Sequence, residues 1–230
     1  MKVFVINLDE RIDRWLSLES EIEKLGLDVI RISAVSFKDL DQTDFSFVSR
    51  EVAACFLSHI KALEAFLESG DSHGLIVEDD FFVETRIPHM FSSLLINLNF
   101  LQVGYLKTSL IERLNIRYQN LFNIYLGLLL RVGVKLKFPK ALMNKYLLLE
   151  RRGVSLGVAL NDVRPGAHAY IVDRKFATYC RQINTPIALS TDALFIAISQ
   201  MRTVRVGRTR KSYFGQTKSP TSIAQRFKAL

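Results

Sequence analysis

Only two of the 230 residues are cysteine, Cys55 and Cys180. Two thiols cannot build a disulfide framework, their surroundings show no metal-ligand spacing, and they read as free thiols of a reducing compartment. Proline (5) and glycine (11) are sparse. No period of roughly 20–50 residues recurs, which excludes collagen, low-complexity linkers and solenoids. Long hydrophobic runs are missing as well. The apolar start, residues 3–6, is too short for a signal-peptide core and is soon followed by Asp9. The longest uncharged window, residues 87–106, contains Pro88, His89, Asn97, Asn99 and Gln102 and falls short of a membrane span. These absences predict a soluble, cytosolic chain.

Acids are scarce in one half. Residues 101–230 carry 22 Lys+Arg against 5 Asp+Glu, whereas residues 1–100 carry 9 against 18. From Arg202 onward there are eight basic residues and no acid. Such a split points to an anionic partner for the C-terminal half: nucleic acid, a phosphorylated glycolipid or an acidic membrane face. Solvated basic surface is the plainer reading. What is plentiful is core material: 49% hydrophobic residues against 23% charged excludes global disorder.

The pattern along the chain alternates strands and helices. Residues 2–7 read as a buried first strand. Residues 11–25 have helical spacing at Ile12, Trp15, Leu18, Ile22 and Leu25, with Gly26 as the stop. A short strand follows at 28–32, then a helix over 49–69 whose stripe includes Cys55, Phe56, His59, Leu63 and Phe66, then a strand at 74–77. Further strands are predicted at 100–104 and 167–172. Helices are predicted after Arg86, within 110–138, from 174, and over 190–199. This order is the grammar of an α/β fold with a mainly parallel sheet. A single domain is expected over 1–206, with an irregular basic tail over 207–230.

Glu78-Asp79-Asp80 directly follows the third strand. Three adjacent acids raise one another's pKa values or recruit a cation. Alternation in an extended segment sends Glu78 and Asp80 to one side and Asp79 to the other. At the carboxyl end of a strand in an open α/β sheet, the paired oxygens suit Mg²⁺ or Mn²⁺ completed by phosphate and water. An acidic solvated turn is the alternative.

Several motifs in order resemble glycosyltransferase family 25, the lipooligosaccharide-biosynthesis glycosyltransferases with collagen-modifying relatives. They are Val5-Ile6-Asn7-Leu8-Asp9-x-Arg11-x-Asp13-Arg14, Ile32-Ser33-Ala34-Val35, Glu51-x-x-x-Cys55-x-Leu57-Ser58-His59 and Val77-Glu78-Asp79-Asp80. Weaker matches lie at 166–171 and at Pro186 followed by Asp192. The resemblance implies a GT-A type, Rossmann-like nucleotide-sugar fold, a UDP-sugar donor (commonly UDP-galactose), and inversion at the anomeric carbon. It implies a metal held by Glu78 and Asp80, and donor contacts from Asn7, Arg11, Arg14, Ser58, His59 and Asp79. Asp192 is the implied base, with Asp162 as fallback and His168 as a possible further metal ligand. Each assignment has a structural counterpart: solvated helix charge for the arginines, a satisfied core residue for His59, a helix-start acid for Asp192. The implied acceptor is a lipid-linked oligosaccharide, reached from the inner face of the cytoplasmic membrane by peripheral attachment. A nucleic-acid-binding protein fits the charge alone, but no recognition helix, zinc or aromatic RNA-binding motif accompanies it. A family member that binds donor without transferring it is the third reading.

Overall fold

The computed structural model describes residues 1–41, 48–85, 98–105, 154–155, 158–184, 187–201 and 203–217. The helices expected after Arg86 and within 110–138 lie outside these residues.

Ten strands are described in one sheet: β1 (Lys2–Asn7), β2 (Val29–Ser33), β3 (His73–Glu78), β4 (Phe81–Val83), β5 (Phe100–Gly104), β6 (Val154–Ser155), β7 (Val158–Leu160), β8 (Ala169–Asp173), β9 (Val206–Thr209) and β10 (Phe214–Gln216). The spatial order is β2-β1-β3-β8-β5-β9-β7-β6, with β10 pairing β4 and β5. β1 runs parallel to β2 and β3, and β5 runs parallel to β9. β8 is inserted antiparallel between β3 and β5. The sheet is thus mixed, with the central strands other than β8 sharing one direction.

The helices are α1 (Ile12–Ser17), α2 (Glu19–Leu25), α3 (Arg50–Glu68), α4 (Arg174–Ile183) and α5 (Thr191–Met201). The single helix expected over 11–25 is two, broken at Leu18. Only that residue of the first segment's apolar set is buried, while Ile12 and Leu16 are exposed. Gly26 ends α2 with φ +58°, a left-handed cap that suits glycine. The Ser49 hydroxyl caps α3 by accepting from the Val52 N–H.

Alternation along the strands divides the core between the two faces of the sheet. Phe4, Ile6, Ile76, Phe100, Tyr170 and Val172 point to one face and pack on Phe56, Leu63 and Phe66 of α3, Phe176 of α4 and Phe195 of α5. Val3, Val5, Leu75, Val77, Leu101, Val103 and Ile171 point to the other, against Leu18, Phe81 and Phe214. Burying each such side chain stabilises the fold by about 1.5–3 kcal/mol.

Of the segment expected to be irregular from residue 207, the described part, 207–217, is instead woven into the sheet. Phe214 is fully buried, and Thr209 and Ser212 are nearly so. Its polar, basic composition hides strands whose apolar content is supplied by neighbours distant in sequence.

Candidate active site

The carboxyl ends of β1, β3 and β5 and the start of β8 meet at one edge of the sheet. Ile6 is in register with Glu78, and Val77 with Ala169. The Glu78 N–H donates to the His168 carbonyl at 3.0 Å. Four loci of the sequence (7–14, 78–80, 168 and 216) therefore converge there.

The acid triplet divides as the alternation predicts. Asp79 turns toward β1: Oδ2 accepts from Asn7 Nδ2 at 2.7 Å and Oδ1 from Arg14 at 2.8 Å. Asn7, itself buried, donates also to the Arg11 carbonyl and accepts from Arg31 at 2.6 and 2.9 Å. Asn7, Arg14, Arg31 and Asp79 form one polar network, which Arg31 extends to Asp9. Glu78 and Asp80 share the other side, where the Gln216 amide reaches Glu78 Oε2 at 3.3 Å and Asp80 at 3.3 and 3.4 Å.

His59 projects from α3 into this second group. Its Nδ1 lies 2.8 Å from the Tyr170 hydroxyl and its Nε2 3.2 Å from Glu78 Oε1. Burial disfavours the imidazolium, yet the hydrogen bonds it donates to Cys55 and Glu78 prevail and raise His59 to about 10. Glu78 is pulled down despite its burial, chiefly by His59. Among the described residues Asp80 forms no ion pair, and Arg14 acts on it only from its pair with Asp79. Burial first, then the charges of Glu78 and Asp79, push it up to about 7.

His168 and Asp192 complete the group. His168 is 1% exposed, and among the described residues neither ring nitrogen has a hydrogen-bond partner of normal geometry. Burial lowers its pKa against the pull of Glu78 and Asp192. Asp192, in the first turn of α5, accepts from the Gly166 N–H at 2.9 Å through Oδ2. Burial raises its pKa, with the Glu78 charge adding to the effect. Gly104 lets the imidazole of His168 approach the backbone: a Cβ there would stand 2.9 Å from the ring.

Other predicted residues stand apart. Arg11 pairs with Asp13 at the surface. Ser58 donates to the Ala54 carbonyl and accepts from the Val35 N–H, tying the loop after β2 to α3. Asp162 is held by Arg208 at 2.8 Å. Three contributors escaped the sequence reading. Gln216 arrives through the β10 pairing and has no local signal. Tyr170 looked like an ordinary strand residue. Cys55 had a signal that was misread: it precedes His59 by one helical turn, and Cys55, His59 and Glu78 bring ligand atoms within 4.8 Å of one another. The reading that the cysteines have no metal-ligand surroundings is therefore corrected. The spacing exists on the helix, and its third member comes from β3.

Residues 1–195 match the family model for glycosyltransferase family 25 (LPS biosynthesis protein). The chain belongs to that family. Membership makes it a glycosyltransferase of lipopolysaccharide biosynthesis, acting with a nucleotide-sugar donor and a glycan acceptor. No curated protein matches the sequence. Among solved structures it is similar to one titled "Crystal Structure of A197 from STIV", at 12% identity and a TM-score of 0.40, covering 93% of this chain and 82% of that one. No helix among the described residues is long and apolar enough to cross a membrane.

Proposed function

We propose that the chain is an inverting, GT-A type transferase that moves a sugar, galactose by family resemblance, from a UDP-sugar to a lipooligosaccharide core. The supporting observation is the carboxylate pair of half-buried Glu78 and buried Asp80, bridged by the neutral Gln216 amide and beside the like charge of Asp79. An Asp raised to about 7 by burial and neighbouring charge is a site that a dication relieves, so the residues fit the implied Mn²⁺ or Mg²⁺. Glu78 and Asp80 would hold that ion, which supplies neutralisation of the negative charge developing on the departing diphosphate.

The protein's own groups have separable tasks in this reading. Asp79 and Asn7 fix Arg14 at the sheet edge, where its positive charge faces the donor phosphates. Arg11, beyond that network, takes the outer phosphate. Ser58 holds the loop after β2 that borders the nucleotide, and His59 fixes the orientation of Glu78. Asp192 takes the proton from the acceptor hydroxyl. Its pKa, raised by burial, makes it a stronger proton acceptor than an ordinary carboxylate, and the Gly166 N–H holds Oδ2 in place. His168, buried and neutral, offers a ring nitrogen to the same space. The basic C-terminal half would rest on anionic lipid and core phosphates at the inner membrane face.

Calorimetry of UDP with the full chain tests the reading. Binding that requires manganese and is lost in Asp80→Asn is expected. No heat of UDP binding in wild type at millimolar manganese would overturn it.

A further inference from the structure

The transferase reading gives Glu78 and His59 tasks but none to Cys55, which stands with them in one cluster. Cys55 and His59 are one turn apart on α3, so their side chains emerge on the same face, one above the other. Glu78 ends β3 beneath that face, with Oε1 3.2 Å from His59 Nε2. A sulfur, an imidazole nitrogen and a carboxylate oxygen lie within 4.8 Å of one another. Around a tetrahedral zinc ion such atoms stand about 3.3–3.6 Å apart, given Zn–S near 2.3 Å and Zn–N and Zn–O near 2.0–2.2 Å. The nitrogen–oxygen pair, at 3.2 Å, is close to that separation, and the sulfur, within 4.8 Å of both, closes on them when an ion binds.

The outer atoms of the same ligands are already held. His59 uses Nδ1 on the Tyr170 hydroxyl at 2.8 Å, leaving Nε2 for an ion. Glu78 uses Oε2 on the Gln216 amide, leaving Oε1. Metal-binding imidazoles and carboxylates are oriented by outer partners of this kind. One thiolate and one carboxylate together balance a dication, which matters because His59 is 2% exposed. The thiolate also sets the selectivity. Sulfur favours zinc over the hard ions that suit Glu78 Oε2 and Asp80.

We infer that Cys55 Sγ, His59 Nε2 and Glu78 Oε1 form a zinc site with one open coordination position, behind the oxygen-lined donor site and sharing Glu78 with it. Three protein ligands and an exchangeable fourth position are the pattern of a reactive rather than a purely structural zinc. Cys55 is half-buried, which leaves that side of the site reachable by water or a small ligand.

Cobalt(II), titrated into the chelator-stripped full chain, is the probe. A thiolate-to-cobalt charge-transfer band saturating at one ion per chain is expected, displaced by zinc and not by manganese. Cys55→Ser should abolish it, while Cys180→Ser and Asp80→Asn should keep it. Tyr170→Phe, which retains the ring and removes the hydroxyl, should weaken cobalt binding by ~10–100-fold. Circular dichroism establishes that each variant is folded. Absence of the band in wild type overturns the site whatever the variants do, as does an undiminished band in Cys55→Ser. The result is separable from the transferase reading, because manganese-dependent UDP binding is measured on the same protein without cobalt.

Discussion

Asp80 stands in electrostatic conflict with Glu78 and Asp79, and its pH dependence can be worked out. Its carboxyl holds a proton up to about 7 when folded, against 3.8 as the ordinary value. The folded state binds the proton more tightly, so the stability linked to Asp80 is complete below about pH 4 and is lost as pH rises through 7. Asparagine mimics the protonated form at every pH. Metal-free Asp80→Asn should therefore match wild type near pH 4 and become progressively more stable than it toward pH 8, by on the order of a few kcal/mol. Thermal unfolding of both proteins across that range measures the difference. A gap that stays constant with pH would show that Asp80 is not protonated by its surroundings.

The same residue shows what local pattern reveals and what it hides. The run Glu78-Asp79-Asp80 after an apolar strand marked a candidate site, and alternation assigned Asp79 to one side and its neighbours to the other, as their hydrogen bonds have it. The partners that decide each acid's behaviour were not legible. Arg14 and Asn7 could be associated with Asp79 only through the parallel pairing of β1 and β3, and Gln216 is 136 residues from Asp80. Asn7 was expected to meet the donor, yet its amide is occupied by Asp79, Arg11 and Arg31.

At the scale of elements, periodicity worked wherever burial is decided locally. β1, α3, β3 and β5 follow the expected spans to within a residue or so, because each buries a continuous stripe or run of its own side chains. β9 and β10 were missed because each carries a single large apolar residue, Val206 and Phe214, too few to make a pattern, and depends on pairing with β5 and β4. That dependence makes a testable difference. If residues 207–230 were an appendage, ending the chain at residue 206 would leave the fold intact. With Phe214 packed on Phe81 at a centroid separation of 5.8 Å, the shortened chain should lose its cooperative unfolding transition. Gln216→Ala in the full chain removes only the amide and should keep that transition. Chemical denaturation followed by tryptophan fluorescence separates the two, Trp15 being the single tryptophan. A sharp transition in the shortened chain would mean that β10 contributes little to the fold.

Across the whole molecule, charge and topology combine in a way that composition alone could not locate. Exposed Arg174 and Lys175 follow the end of β8, and exposed Arg205 precedes β9, which places all three at the sheet edge opposite the acid triplet. Exposed Arg210 and Lys211 follow the end of β9, on the same edge as the triplet. An anionic acceptor entering beside the donor would meet Arg210 and Lys211 first, whereas the opposite edge cannot reach the reacting sugar. Substituting Arg210 and Lys211 together by Ala should therefore lower association with vesicles bearing lipooligosaccharide, while the same change at Arg174 and Lys175 should affect it less. Both associations should weaken with salt, since exposed charges act over about 10 Å at 0.1 M and about 3 Å at 1 M. UDP binding at the buried acids should change little over that range. Sedimentation with vesicles at two ionic strengths reads the two associations, and calorimetry at the same strengths reads UDP binding. Equal losses from the two double substitutions would remove the acceptor role from the site edge and leave only a general attraction to anionic surfaces.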